Sequence, residues 1–177
     1  MDIMSDLVAV FRGLNGRTIR ANAGDILFRR QDRIRHLYLI EEGAAQLVRY
    51  GEGGAVIVMQ RALPGMVLAE ASIFSDSYHC DGVAVSRLRA FRLAMMTVRR
   101  MLGEAPELGR MLAGYLAREV QRQRIRSEIL SIRTVRGRLD AWLAFNGETL
   151  PPRGSWKTIA EDIGVSPEAF YRELARR

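Results

Sequence analysis

The sequence predicts an α+β fold in which a β-rich segment lies between helical ones. Three observations point to it. Between Arg17 and Leu93, short apolar runs start roughly every 8–12 residues and alternate with glycines and charged pairs, as in an all-β roll, barrel or sandwich. On either side, apolar residues recur at spacings of three and four, the helical period. The last third carries helix–turn–helix punctuation and an excess of arginine.

The first segment, about residues 3–14, reads as a short amphipathic helix through Ile3, Leu7, Val8 and Val10-Phe11. Eight candidate strands follow. They centre on Thr18-Ile19, Asp25–Phe28, Leu37–Ile40, Ala45–Val48, Val56–Met59, Val67-Leu68, Gly82–Val85 and Leu88–Leu93. Gly24, Gly43, Gly51, Gly53-Gly54 and Gly65 fall between them, where turns call for positive φ.

Helical spacing returns at Met95, with a short helix expected over Met95–Leu102. Pro106 opens the next helix, where its missing N–H costs little. That helix is expected to run to about Ile132, with Leu108, Met111-Leu112, Tyr115-Leu116, Val120, Ile125, Ile129 and Ile132 as one stripe. So long a helix with so narrow a seam exceeds what a small β-roll covers. Pairing with a second copy in a coiled coil is the economical arrangement, with Arg118, Arg122, Arg124 and Arg126 flanking the seam. Packing within one chain is the alternative.

A further helix is expected over Val135–Phe145, closed by Asn146-Gly147. Leu150–Gly154 reads as a loop or hairpin remnant. Ser155 is expected to N-cap a helix over Trp156–Ile163, and Gly164-Val165 to turn the chain. Ser166 then caps a last helix, with Pro167 at its first position and Glu168 in its first turn. The resulting organisation is a β-roll domain at 1–103, a dimerisation helix at 104–132 and a helix-turn-helix domain at 133–177.

The chain has 177 residues, 48% hydrophobic and 27% charged, enough apolar content for a packed core. Apolar runs such as Ala55–Met59 fall far short of the roughly 18–20 residues that span a bilayer. The N-terminal MDIMSDLVAVFRGL places acids before its apolar residues and carries no signal-peptide pattern. A soluble, cytoplasmic chain with no membrane partner is expected. The single cysteine excludes a disulfide framework, or a multi-cysteine zinc or iron–sulfur site, within one chain. Phosphate-binding Walker loops and the signatures of serine hydrolases and zinc proteases are missing, and no enzyme is expected.

The formal net charge is +7, and Lys157 is the only lysine among 27 basic residues. Residues 1–117 hold 15 Arg against 12 acids, whereas 118–177 hold 12 basic residues against 8 acids in half the length. Such a basic C-terminal third suits a polyanion, nucleic acid first. In the helix–turn–helix, Ile159, Ala160, Ile163, Val165, Phe170 and Leu174 form the small core. Its second helix would enter the major groove, with Ser166, Glu168, Tyr171 and Arg172 on candidate faces. Glu accepts from cytosine N4, and Arg bridges guanine O6 and N7. Ser155 and Lys157 would hold a phosphate.

In this order, Ala23–Phe28, Leu37–Gly43, Leu63-Pro64-Gly65, Ala69–Phe74 and Ile159–Arg172 resemble the bacterial transcription regulators related to catabolite activator protein and the fumarate–nitrate regulator (Crp/Fnr). The resemblance covers nearly the whole chain. It implies a cyclic-nucleotide-binding-like β-roll (a double-stranded jelly roll), a dimer helix, a winged helix-turn-helix, operator DNA, and RNA polymerase as a partner. Glu168 and Arg172 match the family's base-contacting Glu and Arg. Pro167 stands where the activator has a further Arg, so a different operator is expected. The family's β-hairpin wing would follow the last helix, where this sequence stops, so a wing that is lacking or truncated is the expectation.

The family's nucleotide cassette is altered. In cAMP-binding members a Gly-Glu pair precedes a short helix, and an Arg-Ser pair about ten residues later holds the cyclic phosphate. Here the pairs are Ala69-Glu70, followed by Ala71, and Cys80-Asp81. Losing one charge-assisted phosphate contact costs about 2–3 kcal/mol, and Asp81 adds repulsion. Weak or no cAMP binding is therefore expected. Glu70, Ala71, Cys80 and Asp81 remain the candidate effector pocket, with the effector open. His79 and Cys80 are candidates for haem or redox sensing, although neighbours on a strand point to opposite faces.

The expected function is that of a homodimeric, effector-controlled DNA-binding transcription regulator. The alternative is a ligand- or haem/redox-sensing β-roll dimer, or a protein-interaction module, whose helix-turn-helix is vestigial.

Overall fold

The computed structural model describes residues 3–177, with side chains from Leu7 onward. The side chain of Ile3, expected in the first helix, lies outside the described residues. The chain divides into two compact units, one ending at Leu116 and the other running from Ala117 to Arg177.

The first unit opens with α1 (Ile3–Gly13). Eight strands follow: β1 (Gly16–Ala21), β2 (Ile26–Phe28), β3 (His36–Glu42), β4 (Ala45–Tyr50), β5 (Val56–Ala62), β6 (Val67–Leu68), β7 (Asp81–Ala84) and β8 (Leu88–Ala94). Each coincides with one of the apolar runs. They form two antiparallel four-stranded sheets, ordered β1-β8-β3-β6 and β2-β7-β4-β5. Most neighbours in a sheet are distant in sequence, as a rolled-up antiparallel ribbon requires. Leu37, Leu39, Ala45, Ala62, Leu68, Ala84 and Leu93 fill the core, joined by Leu7 and Phe11 from α1.

Two glycines show why the roll can close. At Gly43 φ is +76°, and a Cβ would lie 2.1 Å from the Arg87 carbonyl oxygen. In β7, Gly82 leaves room for the Phe28 ring, which a Cβ would meet at 2.5 Å. Of the expected positive-φ glycines, Gly51 departs from the reading: its φ is −82°. The reversal there falls on the next glycines, Gly53 and Gly54, both at positive φ.

Helix α2 (Met95–Glu104) continues from β8, and α3 (Pro106–Ser131) follows. The expected single seam of α3 is divided. Leu108, Leu112 and Tyr115 are buried in the core of the first unit. Tyr115 also anchors β6, its hydroxyl accepting from the Val67 amide at 3.0 Å. Ile125 and Ile129 belong to the second core, whereas Val120 is half exposed. Most of the stripe is therefore covered by the chain itself. A helix stripe rotates slowly along its axis, so successive stretches can face different neighbours.

In the second unit, α4 (Val135–Asn146) is capped by Thr134, whose hydroxyl accepts from the Gly137 amide at 3.0 Å. Gly147 closes it at φ +102°. Helices α5 (Trp156–Asp162) and α6 (Pro167–Leu174) complete the chain. Leu139, Ile159, Ala160, Ile163 and Phe170 form a second core with Ile129. Among the described residues, no helix is long and apolar enough to cross a membrane.

Candidate functional site

Between α5 and α6 the chain reverses at Gly164, which has φ +64°. A side chain there would be strained, and its Cβ would lie 2.6 Å from the Leu130 side chain. Ser166 then caps α6, its hydroxyl accepting from the Ala169 amide at 3.2 Å, with Pro167 in the first turn. Phe170 is buried and roots the helix, while Glu168, Tyr171 and Arg172 are exposed. The Glu168 carboxyl is held below its ordinary pKa by its own backbone amide, then by the Ser166 hydroxyl, with Arg172 one turn on adding attraction. It stays ionised and able to accept a hydrogen bond.

Lys157 is exposed on α5. Ser155 corrects the reading. It makes no side-chain cap and has helical dihedrals, at the end of a short 3₁₀ turn over Arg153–Ser155. That turn already brings the chain into helical geometry, so no extended N-cap residue is needed. Tyr171 is turned toward Trp156, with ring centroids 5.8 Å apart. The Arg153 guanidinium lies over the same indole, 5.4 Å from its centroid. Together these residues line a cleft of about 470 Å³ with Leu174 and Ala175.

Arg138 was not visible as a functional residue in the sequence. Its Nε donates to the Ile132 carbonyl (2.7 Å) and its Nη2 to that of Leu130 (3.0 Å). Its Nη1 donates to the carbonyls of Ile163 and Gly164, both at 3.0 Å. One guanidinium thus joins the end of α3 to the turn before α6. It satisfies carbonyls that helix ends leave unpaired. Nothing in the local sequence separates Arg138 from its many arginine neighbours.

In the first unit, Glu70 is buried in a 3₁₀ turn over Glu70–Ser72, entered through Ala69 at φ +73°. Its Oε1 accepts from the Gln60 amide nitrogen at 3.0 Å. Gln60, on β5, was also missed, because it sits in a run whose pattern reads only as strand. Ala71 in the same turn is exposed. Ser72 Oγ lies 3.2 Å from His79 Nδ1, tying the turn to the segment before β7. His79 is exposed, and its pKa is lowered by partial burial and then by Arg49.

Cys80 is buried in the core, whereas its neighbour His79 is at the surface. Asp81 is also engaged, its Oδ1 accepting from the Arg30 amide at 2.8 Å. Cys80 therefore has the surroundings of a small apolar side chain, and the Asp81 carboxylate serves the β2–β7 end of the roll. Among the described residues, no three His, Cys, Asp or Glu side chains are grouped to hold a metal ion.

Residues 18–105 match the cyclic nucleotide-binding domain family. The fold is similar to FixK2 from Bradyrhizobium japonicum, with a TM-score of 0.77 and 17% identity over 92% of this chain and 84% of that one. It is similar to the c-di-GMP-responsive global regulator CLP of Xanthomonas campestris, with a TM-score of 0.68 and 16% identity over 97% and 90% of the two chains. A CRP-family transcriptional regulator from Thermus thermophilus aligns with a TM-score of 0.66 and 23% identity over 89% and 83%. Residues 18–105 thus belong to the cyclic nucleotide-binding domain family, within a chain that has the fold of the Crp/Fnr transcriptional regulators.

Proposed function

We propose that this chain is a homodimeric, cytoplasmic, DNA-binding transcription regulator that reads a two-fold symmetric operator with α6. The observation that carries this reading is α6 itself. It is a capped helix rooted by Phe170, which presents Glu168 and Arg172 to solvent one turn apart. Such a helix suits major-groove readout, with Arg bidentate to guanine and Glu accepting from cytosine. The two copies of α6 would have to lie about 34 Å apart, one turn of DNA. The regulator names among the structural neighbours agree with this reading, and RNA polymerase is the protein partner it implies. DNA binding would follow a population shift set by the β-roll.

The effector pocket of this reading is degenerate toward cAMP. Cys80 offers a buried thiol where the resemblance calls for a phosphate-binding arginine, and Asp81 adds a carboxylate beside it. The test uses fluorescence anisotropy on a DNA site selected from random sequence, compared with unselected DNA. Arg172→Ala is expected to weaken the selected site by about 1–3 kcal/mol and leave unselected DNA unchanged. Lys157→Ala is expected to weaken both alike. Equal losses for Arg172→Ala on both DNAs would refute base readout, and an absence of salt-dependent binding would refute the reading as a whole.

A further inference from the structure

We propose that the β-roll carries a second ligand site, a cleft lined by Arg33, Arg35, His36 and Tyr38 that takes a small, multiply charged oxyanion such as a phosphate ester or a polycarboxylate. The cleft holds about 330 Å³, within the roughly 300–1,000 Å³ range of small-molecule sites. Leu27, Phe28, Asp32 and Tyr78 complete its lining.

The walls are already built. The loop between β2 and β3 is pinned by backbone bonds from Gln31 N to Tyr78 O (2.8 Å), Tyr78 N to Asp32 O (3.0 Å) and Ile34 N to Asp76 O (3.1 Å). The Tyr78 hydroxyl donates to the His36 carbonyl at 2.8 Å and accepts from the His36 amide at 3.1 Å. Phe28 stacks on Tyr78 with centroids 4.0 Å apart, and on Tyr38 at 5.7 Å. The floor is rigid and aromatic, and a ligand would not have to order it.

The charges are what remain unanswered. Arg89 pairs with Glu41 and Glu42, Arg99 with the Ile73 and Ser75 carbonyls, and Arg49 with the His79 carbonyl. Arg33 and Arg35 have no ion pair or side-chain hydrogen bond among the described residues. The same holds for Arg92, which lies opposite Tyr38 in the sheet, and for Arg17, which lies opposite Arg92. Like charges placed directly opposite on a sheet are destabilising. Asp32 is the one carboxylate of the lining, and its Oδ2 already accepts from the Arg29 amide at 3.1 Å. Arg35 and His36 both line the cleft, and the pKa of His36 is lowered by burial, then by the charges of Arg92 and Arg35. Planar guanidinium forks match phosphate and carboxylate oxygens. A bound oxyanion would answer the charges of Arg33 and Arg35, which line the cleft.

The test is a titration of the full chain, labelled with ¹³C-histidine, with sodium phosphate and separately with citrate. Ionic strength is held constant with sodium chloride, and His79→Gln assigns the two ring signals. A saturable shift of His36 with His79 unmoved is expected. The ligand that saturates at lower concentration identifies the preferred chemistry. Arg35→Gln and Arg92→Gln should each raise Kd tenfold or more with unchanged thermal melts. Arg33→Gln, on an exposed loop, replaces either one that fails to fold. A shift that does not saturate, equal shifts at both histidines, or affinity unchanged in the folded variants would overturn the site.

Discussion

Arg138 shows how one side chain can tie the end of α3 to the turn before α6. Its four contacts reach the carbonyls of Leu130, Ile132, Ile163 and Gly164. Methionine keeps the aliphatic stem and removes every donor. Arg138→Met should lower the stability of the second unit by about 2 kcal/mol in urea unfolding, since hydrogen bonds from charged groups are worth more than neutral ones. An unchanged midpoint would mean that water replaces the guanidinium at no cost. The two histidines make a separate prediction. Both have pKa values below 6.5, chiefly through burial, with arginines adding repulsion. The unfolded chain therefore takes up these protons more readily than the folded one. Stability should fall as pH drops through about 6.5 toward the lower folded values, and be fully present above that range. Thermal midpoints between about pH 7.5 and 5.5 should follow this slope, and a variant with both histidines changed to Gln should flatten it.

At the scale of elements, two serines of the same sequence role behave differently. Ser166 has extended dihedrals and accepts from the Ala169 amide. Ser155 has helical dihedrals and caps nothing. Ser166→Ala should cost about 1 kcal/mol, and Ser155→Ala less than about 0.5 kcal/mol, in matched unfolding curves. Equal costs would mean that the Ser166 cap contributes nothing beyond what Ser155 does. The strands were legible because each apolar run is bounded by glycine or charge, as β3 and β4 are on either side of Gly43. The stripe of α3 was legible as a stripe but not as a set of partners. Leu112 and Ile129 look alike in sequence, yet they lie in different cores.

On the scale of the whole molecule, the two units divide inside α3, between Leu116 and Ala117. Val120 is the large apolar residue of the stripe that lies half exposed between those covered by the two cores, and Arg118, Arg122, Arg124 and Arg126 surround it in sequence. Native mass spectrometry of the full chain should find a dimer whose mass does not change on adding cAMP. A monomer would remove the proposed two-fold operator. A cAMP adduct with a micromolar or tighter affinity would overturn the degenerate pocket.

The sequence by itself determined the order of elements, the eight strands, the glycine that turns the helix-turn-helix and the serine that caps its second helix. These depend on local periodicity and dihedral preference, which a few adjacent residues settle. Tertiary structure alone decided the rest. It buried Cys80 beside a surface histidine, gave Glu70 to Gln60, and engaged Asp81 at the Arg30 amide. It also chose Arg138 from 26 arginines, set Arg33 and Arg35 around one cleft, and placed Arg17 opposite Arg92 in the sheet. Partners of this kind are brought together by register and loop closure across dozens of residues, and neither leaves a mark on the local pattern.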